Sequence, residues 1–407
     1  MNTNISVLDS EYIIDGARMD LTPRQILVEA MGMVSAESKA GYEPIVDESV
    51  DPSPSGNISE SKDFEGLLDI ISVDVKKRRQ IPAYCPESVT RGEIARALVD
   101  TIWKKGHFRL DDLALNLVWE WNSEPVGNMS AFYRSVESAC SYLDMLGVRI
   151  SGYGFVENSH GCSIRFKTSV EGGEVFDDED ASSDTVDIAE SIDRDIRDLP
   201  ENNSASIQLW DIPFRTENPV LKRGRCVSSH IITGGDNWLI YIPFDTCNFR
   251  LGASLVAEKS GVSGGKAPDM SDSDYFIDCF EVVREFVEDG IILSGATVSA
   301  GGIITTLDAM KTAEAGIDVD LSAVLHSYSE CSPAEVLFGE VAGVIVEIRD
   351  SDFDYVDAEL LLQDVAYYPI GHPGVPGLCI TENGPGNLAG ILQSLLGQEG
   401  VAAEGED

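Results

Sequence analysis

The sequence predicts an α+β protein made of two packed halves. Three observations carry that reading. β-type apolar runs alternate with amphipathic helical stretches along most of the chain. Two groups of such elements follow one another, over 64–210 and 211–380, each with apolar runs of its own. Hydrophobic residues make up 43% of the 407 positions, enough to bury large cores although 29 Lys+Arg face 70 Asp+Glu, a net charge of −41. The alternation excludes all-α and all-β folds.

Taken in order, residues 1–63 form an accessory region. Thr22 is placed to cap a short helix with Pro23 at its first position. The stretch 43–62, rich in Pro, Ser, Gly and acid, reads as a linker. The first unit opens with LLDIISVDV (67–75), whose Ile and Val content suggests a strand. Residues 90–105 form an amphipathic helix with Ile94, Ala97, Leu98, Thr101 and Ile102 inward. A strand over 112–119, a helix over 130–147 ended by Gly147, and strands over 148–156 and 163–170 follow. Residues 172–203 are a strongly acidic insertion that reads as a solvated loop.

The second unit begins with the strand NWLIYIP (237–243) and a long helix over 274–289 that ends at Gly290. Residues 291–316 read as strand, glycine turn and helix, and 315–321 as a strand. Ser332 caps a helix with Pro333 at its first position, and 341–349 is a strand. The remainder, 381–407, is an acidic tail.

Composition excludes some functions. A chain this acidic has no electrostatic footprint for nucleic acid or an anionic membrane. No apolar run approaches the ~18 residues of a membrane span, and no basic segment leads into an apolar one at the N-terminus. The eight cysteines are scattered without a CxxC pair, as expected for reduced thiols in a cytoplasmic protein. Self-contained catalytic signatures are missing too. SGGK at 263–266 lacks P-loop spacing, GVSGG at 261–265 has no strand leading into it, and the five histidines show no metal spacing.

The informative positions lie mostly in the second unit. Ser299, Gly301 and Gly302 sit between a strand and a helix, where paired glycines let a ligand approach and helix N–H groups face a phosphate. The same residues also suit an ordinary tight turn. Gly252 and Ser254, in LGAS, open another helix and offer a second small-residue cradle. Glu340, in LFGEVAG, stands in a helix–strand turn, where an acid can bind a metal or simply face solvent.

The order of these pieces over about 67–372 resembles the second half of formylglycinamidine ribonucleotide synthase, in the superfamily of aminoimidazole ribonucleotide synthetase. The carrying segments are DLALNLVW around Asn116, LGVRISGYG (146–154), GGDNWLIYIP (234–243), LGAS (251–254), SAGGIITTLDAM (299–310) and LFGEVAG (337–343). The resemblance implies a single synthetase-like module. Its N-terminal half would pair into a barrel with another module, and its C-terminal half would be ferredoxin-like. It also implies Mg2+ and ATP as cofactors. Gly152, Gly252, Ser254, Ser299, Gly301 and Gly302 become nucleotide-site positions, with Glu340 a candidate metal ligand. The partner would be a second copy of this chain, in a homodimer, or a complementary synthetase module.

Side chains of the family pattern have nevertheless drifted. Ala300 stands where the family has Asp in Ser-Asp-Gly-Gly. Val118 and Trp119 replace Gly-Asn, Phe155 follows Gly154 where an Asn belongs, and Ala309 takes an acid's place beside Asp308. The Asp-Gly motif that helps hold magnesium has no counterpart around Asp74–Arg79, and no glutaminase domain is recognisable. The expectation is a synthase-like ligase fold with a degraded nucleotide site, or a non-catalytic subunit on the same fold.

Overall fold

The computed structural model describes residues 6–32, 46–47, 68, 71, 75, 79–104, 106–170, 227–232, 236–260 and 265–380. The acidic insertion 172–203, the tail 381–407 and most of the linker 43–62 lie outside the described residues. Among the described residues no helix is long and apolar enough to cross a membrane.

The chain begins with a short ribbon, β1 (Ile13–Ile14) and β2 (Ala17–Arg18), and helix α1 (Pro23–Ala30). Thr22 caps α1 in a capping box with Gln25, and Pro23 is its first residue. Strand β3 (Val46–Asp47), helix α2 (Pro86–Lys104) and strand β4 (Leu113–Trp121) come next. Helix α3 (Asn128–Met145), β5 (Arg149–Asn158) and β6 (Ser163–Val170) complete the first half. Its four strands are ordered β3-β5-β4-β6, with β4 parallel to β5 and antiparallel to β6.

Alternation along β4 sets the first core. Leu113, Leu115, Leu117, Trp119 and Trp121 are all fully buried. Phe132 of α3 meets Trp119, Trp121 and Phe155 edge-on, with ring centroids 6.1, 5.8 and 5.0 Å away. Trp119 Nε1 donates to Ser135 Oγ at 3.0 Å, and Ser135 is in turn hydrogen-bonded to Thr90 of α2 at 2.8 Å. So the position where the family pattern has an Asn is a core tryptophan here. Residues 6–32 pack on the same layer, where Tyr12 stacks at 5.2 Å from Tyr133 and Arg24 donates to Tyr153.

The strand expected over 67–75 is overturned. Leu68, Ile71 and Val75 are helical, and Leu68 and Ile71 are buried. Their spacing of three and four places them on one helical face, and this outweighs the β-branched composition. In α2, Ala97 is only half-buried, and Ala95 and Val99 take the inward places instead.

The second half contains β7 (Trp238–Pro243), α4 (Leu255–Ser260), α5 (Ser273–Glu288), β8 (Ile292–Thr297), α6 (Gly302–Met310) and β9 (Gly316–Val319). It continues with α7 (Ser322–Ser327), α8 (Pro333–Phe338), β10 (Gly343–Ile348), α9 (Phe353–Leu362), β11 (Tyr368–Gly374) and β12 (Leu378–Ile380). Its strand order is β12-β9-β11-β7-β10-β8, antiparallel except for β12 beside β9. Every residue of β10 is buried. Helix α2 ties the halves together, since Trp103 Nε1 donates to Thr297 Oγ1 on β8 at 3.0 Å. The fold is α+β, as the sequence predicts.

Glu347, the penultimate residue of β10, is fully buried. Its carboxylate accepts from Ile232 N (2.9 Å), Ser294 Oγ (2.7 Å) and Asn237 Nδ2 (2.8 Å). It therefore pins Ile232 and Asn237 to the sheet. Glu347→Ala strands two buried donors and one half-buried one and should lower stability by about 3 kcal/mol or more, read as a shifted urea midpoint at constant m-value. Glu347→Gln should lose clearly less, because an amide oxygen still accepts. Equal losses would show that the three donors need the charged carboxylate and that an amide oxygen of the same size does not serve them.

Candidate functional site

Three loops converge beside α2: the end of 68–79, the LGAS loop, and the glycine turn before α6. The turn follows β8 and the buried Val298. Gly302 N donates to Ser299 O at 3.0 Å, which closes it. Gly301 and Gly302 have φ of 83° and 78°, in the left-handed region that favours glycine. A Cβ on Gly302 would lie 2.5 Å from Leu337 O and 2.8 Å from Gly339 O. The second glycine thus serves the close approach of the α8 terminus, and half-buried Ser299 gives its carbonyl to the turn and its N–H to Thr306 Oγ1 (3.4 Å).

The LGAS loop is equally occupied with its own neighbours. Gly252 lies against the Lys266 carbonyl, with no room for a Cβ. Ser254 is buried, donates to Leu251 O at 2.6 Å and accepts from Ala257 N at 3.2 Å. Its hydroxyl is committed to starting α4. Gly152 lies apart from these loops, in the other sheet, paired with Asn116 on β4 just after a register shift.

Glu340 joins the two loops. It is 2% exposed. Oε1 accepts from Leu255 N at 2.7 Å and from Gly301 N at 2.9 Å. Oε2 is paired with the Arg79 guanidinium, which also donates to Ala253 O. Arg96 of α2 donates to the Glu340 backbone carbonyl and pairs with Glu93. The Arg79 side chain is 9% exposed. Burial, and then repulsion from Arg96, push its pKa down to about 10, so it remains charged at neutral pH.

The carboxylate sits where an acid could receive a metal, but both its oxygens are taken by protein donors. The two backbone N–H groups that could meet a phosphate point at that same carboxylate. Ala300 supplies only a methyl group where the family pattern has an acid. Beside this knot lies a recess of about 10 Å³, the space of a single water. Among the described residues no group of three His, Cys, Asp or Glu is gathered to hold a metal ion. Among the described residues, the polar groups of this knot are committed to one another.

Sequence reasoning missed Arg79 and Arg96. Arg79 ends a basic run that stands out only as the place where the Asp-Gly motif is lacking. Arg96 is not among the inward positions named for α2. Thiol chemistry is not favoured at the buried cysteines either. Burial pushes the Cys140 and Cys247 thiols up to about 12 and Cys162 to about 11.

No family model matches the chain. A probable chloroplastic/mitochondrial phosphoribosylformylglycinamidine synthase of Arabidopsis thaliana is 25% identical over 290 residues, which are 70% of this chain and 17% of that protein. Thermotoga maritima PurL complexed with FGAR is similar in structure, with a TM-score of 0.50 and 12% identity over 77% of this chain and 44% of that one. The same bacterial protein complexed with ATP gives 0.46 and 11% over 75% and 42%. The chain thus spans less than half the length of these proteins. It has the α+β fold of PurL-type synthetases. In sequence it is similar to part of a phosphoribosylformylglycinamidine synthase.

Arg79→Met leaves the Glu340 carboxylate buried beside two backbone donors and without its cation. It should cost about 3–5 kcal/mol in chemical denaturation. Adding Glu340→Gln should recover part of that loss. Additive losses in the double variant would mean that the two side chains are not coupled.

Proposed function

We propose that this chain is a formylglycinamidine ribonucleotide synthase-like module whose nucleotide site is degraded, and that it serves as a non-catalytic subunit of a complex. One observation carries the reading: the Glu340 carboxylate takes the Gly301 and Leu255 N–H groups while Arg79 takes the carboxylate. ATP-dependent activation of an amide needs bridged metal ions and donors aimed at the transferring phosphoryl group. Here those donors are already satisfied.

Replacement of the family's polar side chains supports the same reading. Trp119 packs in the core, and Val118 lies on the opposite face of the sheet beside Gly154 and Arg165. Calorimetry of the full chain with Mg-ATP should show no binding up to millimolar nucleotide. Micromolar binding would overturn the reading.

The sheet suggests how a partner is engaged. The face of β4, β5 and β6 turned away from α3 carries rows of register partners: Asn116 with Gly152 and Lys167, then Val118 with Gly154 and Arg165. Asn116 Oδ1 is buried with no hydrogen-bond partner among the described residues. Such a face suits a second copy of this chain or a complementary synthetase module. Light scattering of the full chain should give a dimer, or a hetero-complex once the partner is added. A monodisperse monomer that takes up no synthetase module would count against this arrangement.

A further inference from the structure

The recess beside the Glu340 knot lies between α2 and the loop that precedes α5, and it is lined by Arg79, Ser88, Gly92, Arg96, Met270 and Glu340 among others. Its polar lining is almost entirely donor. Two guanidinium groups border it, and Ser88 adds a hydroxyl that can donate. The one carboxylate in the lining has its oxygens turned onto Arg79, Leu255 N and Gly301 N. Arg96 Nε is buried and, among the described residues, has no hydrogen-bond partner. Its two terminal nitrogens are occupied by Glu93 and the Glu340 carbonyl. A buried charged donor without an acceptor is costly, so the recess calls for an acceptor of its own size.

We propose that this recess binds a monatomic anion, of which chloride is the common case, through Arg96 Nε with Arg79 and Ser88 at its border. Size points to a small ion. The recess itself is about 10 Å³, and a monatomic anion seated at its mouth needs less room than phosphate, sulfate or a carboxylate. Charge separates a halide from water. The two guanidinium groups are close enough that Arg96 contributes to lowering the Arg79 pKa, and an anion between them relieves that repulsion. The overall charge of −41 disfavours anions elsewhere on the molecule, which makes a local site easy to isolate. The recess borders the candidate nucleotide site and shares Arg79 and Glu340 with it, so the proposal rests on the reading of that site given above.

The test uses the full chain and chloride itself, followed by chloride NMR line width, with sodium gluconate replacing sodium chloride at constant ionic strength. Gly92→Ala is the first variant. A Cβ on Gly92 would sit 3.7 Å from Arg96 Nη1, an ordinary contact, so the methyl occupies the recess without removing a charge. Alanine also favours the helix interior. Arg96→Gln is the second, keeping a neutral side chain of similar reach. The wild-type protein should broaden the chloride line saturably, bromide should compete and sulfate should not. Both variants should lose the saturable broadening. Broadening that is equal in the wild type and Gly92→Ala would overturn the proposal. So would crystals grown in bromide that show water only in the recess.

Discussion

The Glu340 carboxylate is the constraint on which the centre of this molecule depends. A buried negative charge is tolerable only when paired and hydrogen-bonded. Here the pairing draws on chain segments that are remote in sequence. Leu255 N starts α4, Gly301 N starts α6, Arg79 closes the segment that carries Ile71, and Arg96 belongs to the helix linking the two sheets. Two loops that would otherwise expose unsatisfied N–H groups are thereby held against one another. The interaction organises the junction, and the same commitment is what the proposed loss of the nucleotide site rests on.

A second buried acid repeats the device without a cation. Glu347 is held by a backbone N–H, a hydroxyl and an amide. Together the two carboxylates show where the acidity of the chain does structural work. Most of the other acids among the described residues are not buried, and their pairings with exposed bases, such as Lys104 with Asp100, contribute little.

Much of the architecture was legible because it rests on local chemistry. Ser332 with Pro333, and Thr22 with Pro23, announce helix starts, and Gly147 and Gly290 sit at helix ends with φ near 70°. The failures have equally physical causes. The run 67–75 carries both a β-branched composition and a helical spacing, and tertiary burial decided for the helix. Strand β11 contains Pro369, Gly371 and Pro373 and sits across a register shift from β7, so it lacks the usual strand signal. Helix α9 went unread as well. The candidate positions were legible as backbone-shaping residues. What they touch was not, because the pairing of Arg79 with Glu340 spans most of the chain and no spacing rule reaches that far.

Trp119 gives the drift of this module a direction. Its indole fills the space between β4 and α3, and its N–H ends a relay through Ser135 to Thr90. An asparagine at that position would leave a void between β4 and α3 and take the indole donor away from Ser135, which keeps Thr90. A polar side chain there is therefore not one substitution away. Packing acts as a ratchet: with the core closed around the indole, a polar residue at this position requires several neighbours to change together.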